Sequence, residues 1–235
     1  MKYYDLHVHT NVSVGENSLE EIVEQAKRLN IDGLGITDYF STVDEFMRRK
    51  KVKRPDIDIV FGVIIRAETE SQLKKTVNAV RNKAELILVH GGNYEINRLA
   101  SEMPEVDILA HPELERRDSG IDHIVARNMG ENNVALEINF REILESFKKH
   151  RAYVLSNMRR NIYLAKKYNV PIVTTSSAYS IWGMRACRDL ASFANLLGLD
   201  LPEAIATVSS TPEQIITSNR RKLANRVDTR IGDEL

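Results

Sequence analysis

Six histidines and a scatter of acids are the residues in this sequence with metal or acid–base chemistry to offer, and their spacing is not random. The chain opens with Asp5-Leu6-His7-Val8-His9-Thr10. Two imidazoles two residues apart at a strand end can face one side and bind one ion. Further polar residues recur at intervals: Asp38, Glu68, His90, His111, then Glu137 with Asn139. Imidazole mixed with carboxylate suits Zn, Fe or Mn. Asp5 is placed to orient one of the imidazoles from behind. At the last such position, where a carboxylate and a histidine would complete a set, the sequence reads Ser176-Ser177-Ala178-Tyr179.

Alternating elements must position these residues. Apolar, often β-branched runs predict strands at Lys2–Leu6, Gly33–Thr37, Ile57–Ile65, Leu86–Val89, Val106–Ala110, Val134–Ile138 and Pro171–Thr174. Helical periods predict a first helix opening at Ser18, where Glu21 completes a capping box. Others fit Glu70–Asn82, Glu95–Glu102, Ile121–Met129, Glu142–Lys149 and Tyr153–Tyr168. After the last strand the pattern is helical: Met184–Leu197, Pro202–Val208 and Pro212–Lys222. Strict β/α alternation implies α/β with a parallel sheet, either open or closed into a barrel. Such sheets gather functional residues at the carboxyl ends of their strands, where the histidines and acids fall.

Taken singly, each residue has a plainer explanation. His90 or His111 alone is better read as satisfying a loop carbonyl, and Asp38 or Glu137 as a helix cap. The His7/His9 pair, and the registration of the whole set on strand ends, argue for a common ancestral site. His123 and His150 fall outside it and read as surface residues. Cys187 reads as core packing.

The composition sets bounds. A chain of 235 residues, 43% hydrophobic, is enough for one domain with a sizeable core. It predicts one domain over residues 1–222 and a loose polar tail over 223–235. No apolar run reaches the roughly 18 residues of a membrane span, and no secretory leader is expected. The ending Gly232-Asp233-Glu234-Leu235 lacks the first residue of a retention signal. One cysteine and no leader predict a cytoplasmic protein. With 33 Lys and Arg against 33 Asp and Glu, net charge announces no nucleic-acid partner; such a role needs charge gathered on one face. No Gly-x-Gly-x-x-Gly or Walker loop marks a nucleotide site.

The motifs Asp5–Thr10, Gly35-Ile36-Thr37-Asp38, Glu68, Ala110-His111-Pro112 and Ser176–Tyr179 together resemble the polymerase-and-histidinol-phosphatase superfamily, a metal-bearing distorted β/α barrel. Relative to that pattern Tyr39 replaces a histidine, Ser177 an aspartate and Tyr179 a histidine. The resemblance makes His7, His9, Asp38, Glu68, His90 and His111 remnants of a ligand set, with no metal expected on this chain and no catalytic residue. A narrower set is similar to the archaeal ribonuclease P protein component 3 family, over nearly the whole chain to about Lys222. Its carriers are His7-Val8-His9-Thr10, Gly35–Asp38, Glu137-Ile138-Asn139, Ser156-Asn157, Val173–Ala178, Trp182-Gly183 and Arg185. This implies a TIM-like barrel of about seven parallel strands with extra C-terminal helices. It further implies a subunit supporting a catalytic RNA in endonucleolytic removal of the 5′ leader from precursor tRNA. In that family the RNA performs the hydrolysis with Mg²⁺, and component 3 pairs with component 2. The alternative is a metal-dependent phosphoesterase that keeps a reduced site.

Basic clusters are the candidates for RNA contact: Arg66, Arg116, Arg117, Arg159, Arg160 and Arg185 above all. Arg48–Arg54, Lys148–Arg151, Lys166-Lys167 and Arg220–Lys222 are the other basic stretches. Most such charges on a neutral chain are solvated helix faces. Tyr39 and Tyr179, if they point into the barrel mouth, could stack on bases or only fill space where ligands are missing, and filling space is the favoured reading.

Overall fold

A computed structural model gives the fold; residues 1–51 and 56–232 are described, with side chains to Asn225. Seven strands run in the order of the sequence and pair in parallel: β1 (Tyr4–Val8), β2 (Gly33–Ile36), β3 (Asp58–Ile65), β4 (Leu86–His90), β5 (Ile108–Ala110), β6 (Ala135–Asn139) and β7 (Ile172–Thr175). The helices between them are α1 (Leu19–Arg28), α2 (Val43–Arg49), α3 (Glu70–Val80), α4 (Tyr94–Glu102), α5 (His123–Asn132), α6 (Phe140–Glu145) and α7 (Lys148–Lys167). Three more follow β7: α8 (Cys187–Leu196), α9 (Leu201–Ala206) and α10 (Ser210–Gly232).

The sheet closes into a barrel, which decides the alternative the alternation left open. At the carboxyl end β1 meets β7 through a parallel bridge between Val8 and Ala178, and the His9 N–H donates to the Ala178 carbonyl at 3.0 Å. At the other end the turn between α9 and α10 fills the seam. Tyr4 N–H donates to the Val208 carbonyl at 2.8 Å and Thr174 N–H to the Thr207 carbonyl at 3.2 Å. Irregular backbone thus takes the place of an eighth strand and satisfies donors that an open edge would leave bare.

The core has two parts. Inside the barrel lie Leu6, Val60, Ile64, Leu86, Leu88 and Ile108, with Ile216 of α10 plugging the floor. The larger part packs the outer strand faces, such as Phe61, Val63, Ile87 and Leu109, under the helices. Arg220 secures α10 beneath the barrel: it grips Asp58 with two bonds of 2.8 and 2.9 Å and reaches Glu85 at 2.8 Å.

The structure departs from the sequence reading at several boundaries. The first strand ends two residues later than predicted, which brings His7 into it. α2 lies in a connection read only as basic. The helix predicted over Glu142–Lys149 ends at Glu145, and Lys148–Arg151 instead form the first turn of α7. α10 runs on from Lys222 to Gly232, through most of the segment predicted as a tail. Lys53 and Arg54 of the densest basic stretch lie outside the described residues. Among the described residues no helix is long and apolar enough to cross a membrane.

Candidate functional site

The site begins with a fault in β1. Tyr4 and Asp5 pair with Gly33 and Leu34, but Val8 pairs with Ile36, so β1 carries one extra residue between Asp5 and Val8. A bulge of one residue reverses which face each later side chain takes. Tyr4 and Leu6 therefore fill the barrel's lower interior, and above the bulge His7 and His9 point inward while Val8 joins the outer core. Gly35 makes room for it: a Cβ there would lie 2.3 Å from the Leu6 carbonyl oxygen.

Glu137 of β6 is the centre of the network above. Its carboxylate accepts from four donors: the His7 ring at 2.6 Å, Thr175 Oγ1 at 2.6 Å, the His111 N–H at 3.1 Å and Asn139 Nδ2 at 3.2 Å. Burial alone would raise its pKa, but the charge and hydrogen bond of His7, then His111 and Thr175, hold it well below the usual carboxylate range. The His7 and His9 Nε2 atoms lie 3.0 Å apart, so one ring donates to the other. Asn139 Nδ2 meets His111 Nδ1 at 2.9 Å, and His111 Nε2 then donates to His90 Nδ1 at 2.8 Å. Tyr39 also reaches His90 Nδ1, from its hydroxyl at 3.0 Å. Burial keeps three of these imidazoles neutral. It lowers His9 and His111 far below the ordinary histidine value, and brings His90, beside Arg66, down to about 4.

The inner part of the network is sealed, while His90 borders a cavity. His7, His9, His111, Glu137 and Asn139 are at most 1% exposed. Tyr39 stacks on His9 with ring centres 5.4 Å apart, and Tyr179 meets the same ring edge-on at 4.8 Å. The Arg141 guanidinium lies 3.8 Å over the Tyr179 ring. Both tyrosines thus fill space, as expected of them. Arg141 and Glu142, whose carboxyl comes to 3.8 Å from His111, were not among the sequence candidates. Their position directly after β6, in the first turn of α6, is the signal that could have found them.

The ligand set that the superfamily implies does not come together. Both Asp38 oxygens are held by Thr10, at 2.7 and 2.6 Å, and Arg49 pairs with one of them at 3.4 Å. Asp38 therefore fixes the loop after β1. Glu68 is exposed and lines the cavity beside His90. His90 and His111 bond each other. Asp5, expected to orient an imidazole, instead faces the β1/β7 seam and accepts the Ser176 N–H at 3.1 Å; burial raises its pKa to about 6. Ser177 occupies a left-handed backbone conformation (φ +49°) with its hydroxyl buried and unpaired. Two facing imidazoles remain, and among the described residues no group of three or more His, Cys, Asp and Glu is arranged to hold an ion. The donor set does not fit a multi-metal phosphoesterase centre.

The predicted RNA-contacting arginines fall into different surroundings. Arg66 and Arg116 line one cavity of about 590 Å³ beside the mouth, with Glu68 and His90. Arg116 is clamped there, by a two-pronged bond to Asp118 (2.6 and 2.9 Å) and a bond to the Gly92 carbonyl at 3.0 Å. Arg117 next to it is exposed, as is Arg160. The Asp118 carboxyl is held below its usual range by Arg116 first, with the Arg160 charge adding to it, so these arginines share one neighbourhood. Arg159 bonds the Leu196 carbonyl at 3.3 Å. Arg185 bonds the Trp182 and Met184 carbonyls and lies 5.3 Å over the Phe140 ring. Arg116 and Arg185 thus brace loops at the barrel's edge.

Comparison with known proteins gives this arrangement a family. The profile of the RNase P subunit p30 family matches residues 2–224. Ribonuclease P protein component 3 of Methanococcoides burtonii is 37% identical over 218 residues, 93% of this chain and 88% of that protein. The protein of the same name from Methanothermobacter thermautotrophicus is 35% identical, over 95% of this chain and 93% of its own. A chain in the cryo-EM structure of archaeal ribonuclease P with mature tRNA superposes with a TM-score of 0.75 at 32% identity, covering 91% of this chain and 90% of that one. Histidinol phosphate phosphatase from Lactococcus lactis, solved with zinc, L-histidinol and phosphate, shares the fold alone: TM-score 0.62 at 13% identity, over 86% and 94% of the two chains. A barrel of the histidinol-phosphatase type, with a sealed polar centre in place of a full ligand set, is the form this sequence takes: the chain belongs to the RNase P subunit p30 family.

Proposed function

We propose that this chain is the component 3 subunit of an archaeal ribonuclease P and serves tRNA processing by supporting the RNA that cleaves the 5′ leader from precursor tRNA. One observation carries the division of labour: the barrel's polar centre is buried beneath Tyr39, Tyr179 and Arg141, and its carboxylate, Glu137, is held by four neighbouring donors. A phosphodiester cannot reach Glu137 or His7 without displacing that cover. Hydrolysis belongs to the RNA subunit and its Mg²⁺, and this chain contributes shape and positive charge. Its partners are the ribonuclease P RNA, precursor tRNA, component 2 and the other protein subunits, in the cytoplasm. Of the six candidate arginines, Arg66, Arg117, Arg159 and Arg160 have the exposure that phosphate contact needs. Arg66 opens onto the cavity beside His90, and among the described residues Arg117 and Arg160 form no hydrogen bond that would hold them to the barrel.

Charge reversal at Arg117 and Arg160 tests the RNA contact. In a reconstituted holoenzyme the double variant should cleave precursor tRNA more slowly at moderate salt and lose part of the salt dependence. Each phosphate contact removed should flatten the log–log salt slope by roughly 0.7 to 0.9. Unchanged rate and slope would remove these two residues from the RNA contact. The phosphoesterase alternative has its own check. Stoichiometric metal in the purified chain, with turnover of a chromogenic phosphate ester that His7→Ala abolishes, would defeat the subunit reading.

A further inference from the structure

α7 carries a charge pattern that the chain as a whole conceals. Its 20 residues hold seven Lys and Arg and neither Asp nor Glu, in a protein whose charges balance overall at 33 against 33. One side of the helix is committed to the core through Val154, Met158, Ile162 and Ala165. Opposite it, Lys149, Tyr153, Ser156, Arg160, Tyr163 and Lys167 follow one another at spacings of four and three, the repeat that puts residues on one helix face. All six are exposed, Tyr153 at 51% and Tyr163 at 66%. The stripe therefore alternates cation and aromatic ring along a line of about 27 Å.

The acids nearby do not neutralise it. Glu203 pairs with Lys166, beside the stripe, at 2.7 Å. Asp118, near Arg160, is clamped by Arg116. Among the described residues Lys149, Arg160 and Lys167 form no ion pair. Lys149 does lie 5.7 Å over the Tyr153 ring, so cation and ring are already arranged together.

A docking face for a protein would have an apolar centre, and lysine is depleted from such centres. This stripe has no aliphatic residue and is cationic at both ends and in the middle. Cations that track a phosphate backbone, interleaved with rings on which bases stack, are what an unpaired nucleic-acid strand requires. We propose that the outer face of α7 is a binding track for an unpaired stretch of the ribonuclease P RNA. Lys149, Arg160 and Lys167 meet phosphates, and Tyr153 and Tyr163 stack on bases. The proposal rests on the subunit reading above and assigns it a surface.

The test uses the reconstituted holoenzyme, with hydroxyl-radical footprinting of its RNA and affinity measured across salt. Tyr153→Ala with Tyr163→Ala should weaken RNA binding roughly tenfold or more, and Phe at both positions should restore it. Gln at Lys149, Arg160 and Lys167 should flatten the log–log salt slope by about 2, the single-strand value for three contacts. Both variants should expose the same unpaired stretch of the RNA subunit before any precursor is added. Unchanged affinity, slope and footprint would overturn the proposal. So would changes confined to the precursor's leader, or loss of a protein subunit with RNA protection intact. Omitting the chain separates the two levels. If omission leaves cleavage unchanged, the subunit reading fails. If omission slows cleavage and the α7 variants do not, only the track fails.

Discussion

Ser177 shows what a buried, unpaired side chain in a left-handed backbone costs. Its left-handed backbone is unfavourable for any side chain with a Cβ, and its buried hydroxyl finds no partner. Ser177→Gly removes both burdens at some cost in chain entropy, and should stabilise the protein by about 1 kcal/mol in denaturant unfolding. A loss of stability would mean the hydroxyl is bonded after all. His90 makes a second prediction. Its folded pKa, about 4, lies below the free value of 6.5. The unfolded chain therefore takes up the proton first as pH falls, and the stability that neutral His90 contributes is lost between about 6.5 and 4. His90→Gln cannot titrate, so the wild type's lead in Tm over it should shrink from pH 7 to pH 4; a constant lead would contradict this. The sequence made His7, His9, His111 and Glu137 legible because each follows the apolar run of a strand. It did not make legible what Asp38 and Asp5 do, since a carboxylate that braces a loop and one that binds an ion have the same place in the chain. Their partners, Thr10 and the Ser176 N–H, are set by tertiary closure.

Among the elements, β1 decides the site. Its one-residue bulge puts His7 and His9 inside the barrel, and the bulge needs Gly35 beside it on β2. Gly35→Ala would press a methyl group into the Leu6 backbone and should cost about 3 kcal/mol, read as a large fall in Tm. A mild effect would mean that the bulge is not held there. Alternation of apolar runs with helical periods gave all seven strands, because parallel strands buried on both faces read as continuous apolar segments. The bulge left no such trace, so β1 was placed two residues early. α2 escaped for another reason: it is short, and Phe46 is its one buried residue, so its period is weak. The break between α6 and α7 escaped because Phe147, exposed in the middle of it, has neither the Gly nor the Pro that marks a boundary.

At the scale of the whole molecule, composition hid the feature that matters most. Equal numbers of acids and bases gave no hint of a nucleic-acid partner, yet the fold collects seven cations without one acid on α7. The barrel itself was legible from alternation plus resemblance, while its closure rests on the Val8–Ala178 bridge and the Thr207–Val208 turn, contacts remote in sequence. A scaffold with a buried, internally bonded centre and a charged exterior suits a subunit that holds RNA in place. Such a subunit is required for cleavage while its histidine centre does no chemistry. The decisive measurement is the single-turnover rate of 5′-leader cleavage in reconstituted ribonuclease P at fixed Mg²⁺, with the wild-type chain, with folded and assembled His9→Gln, and without the chain. Equal rates are expected for the first two and a marked fall for the third. A His9→Gln enzyme as slow as the one lacking the chain would contradict this.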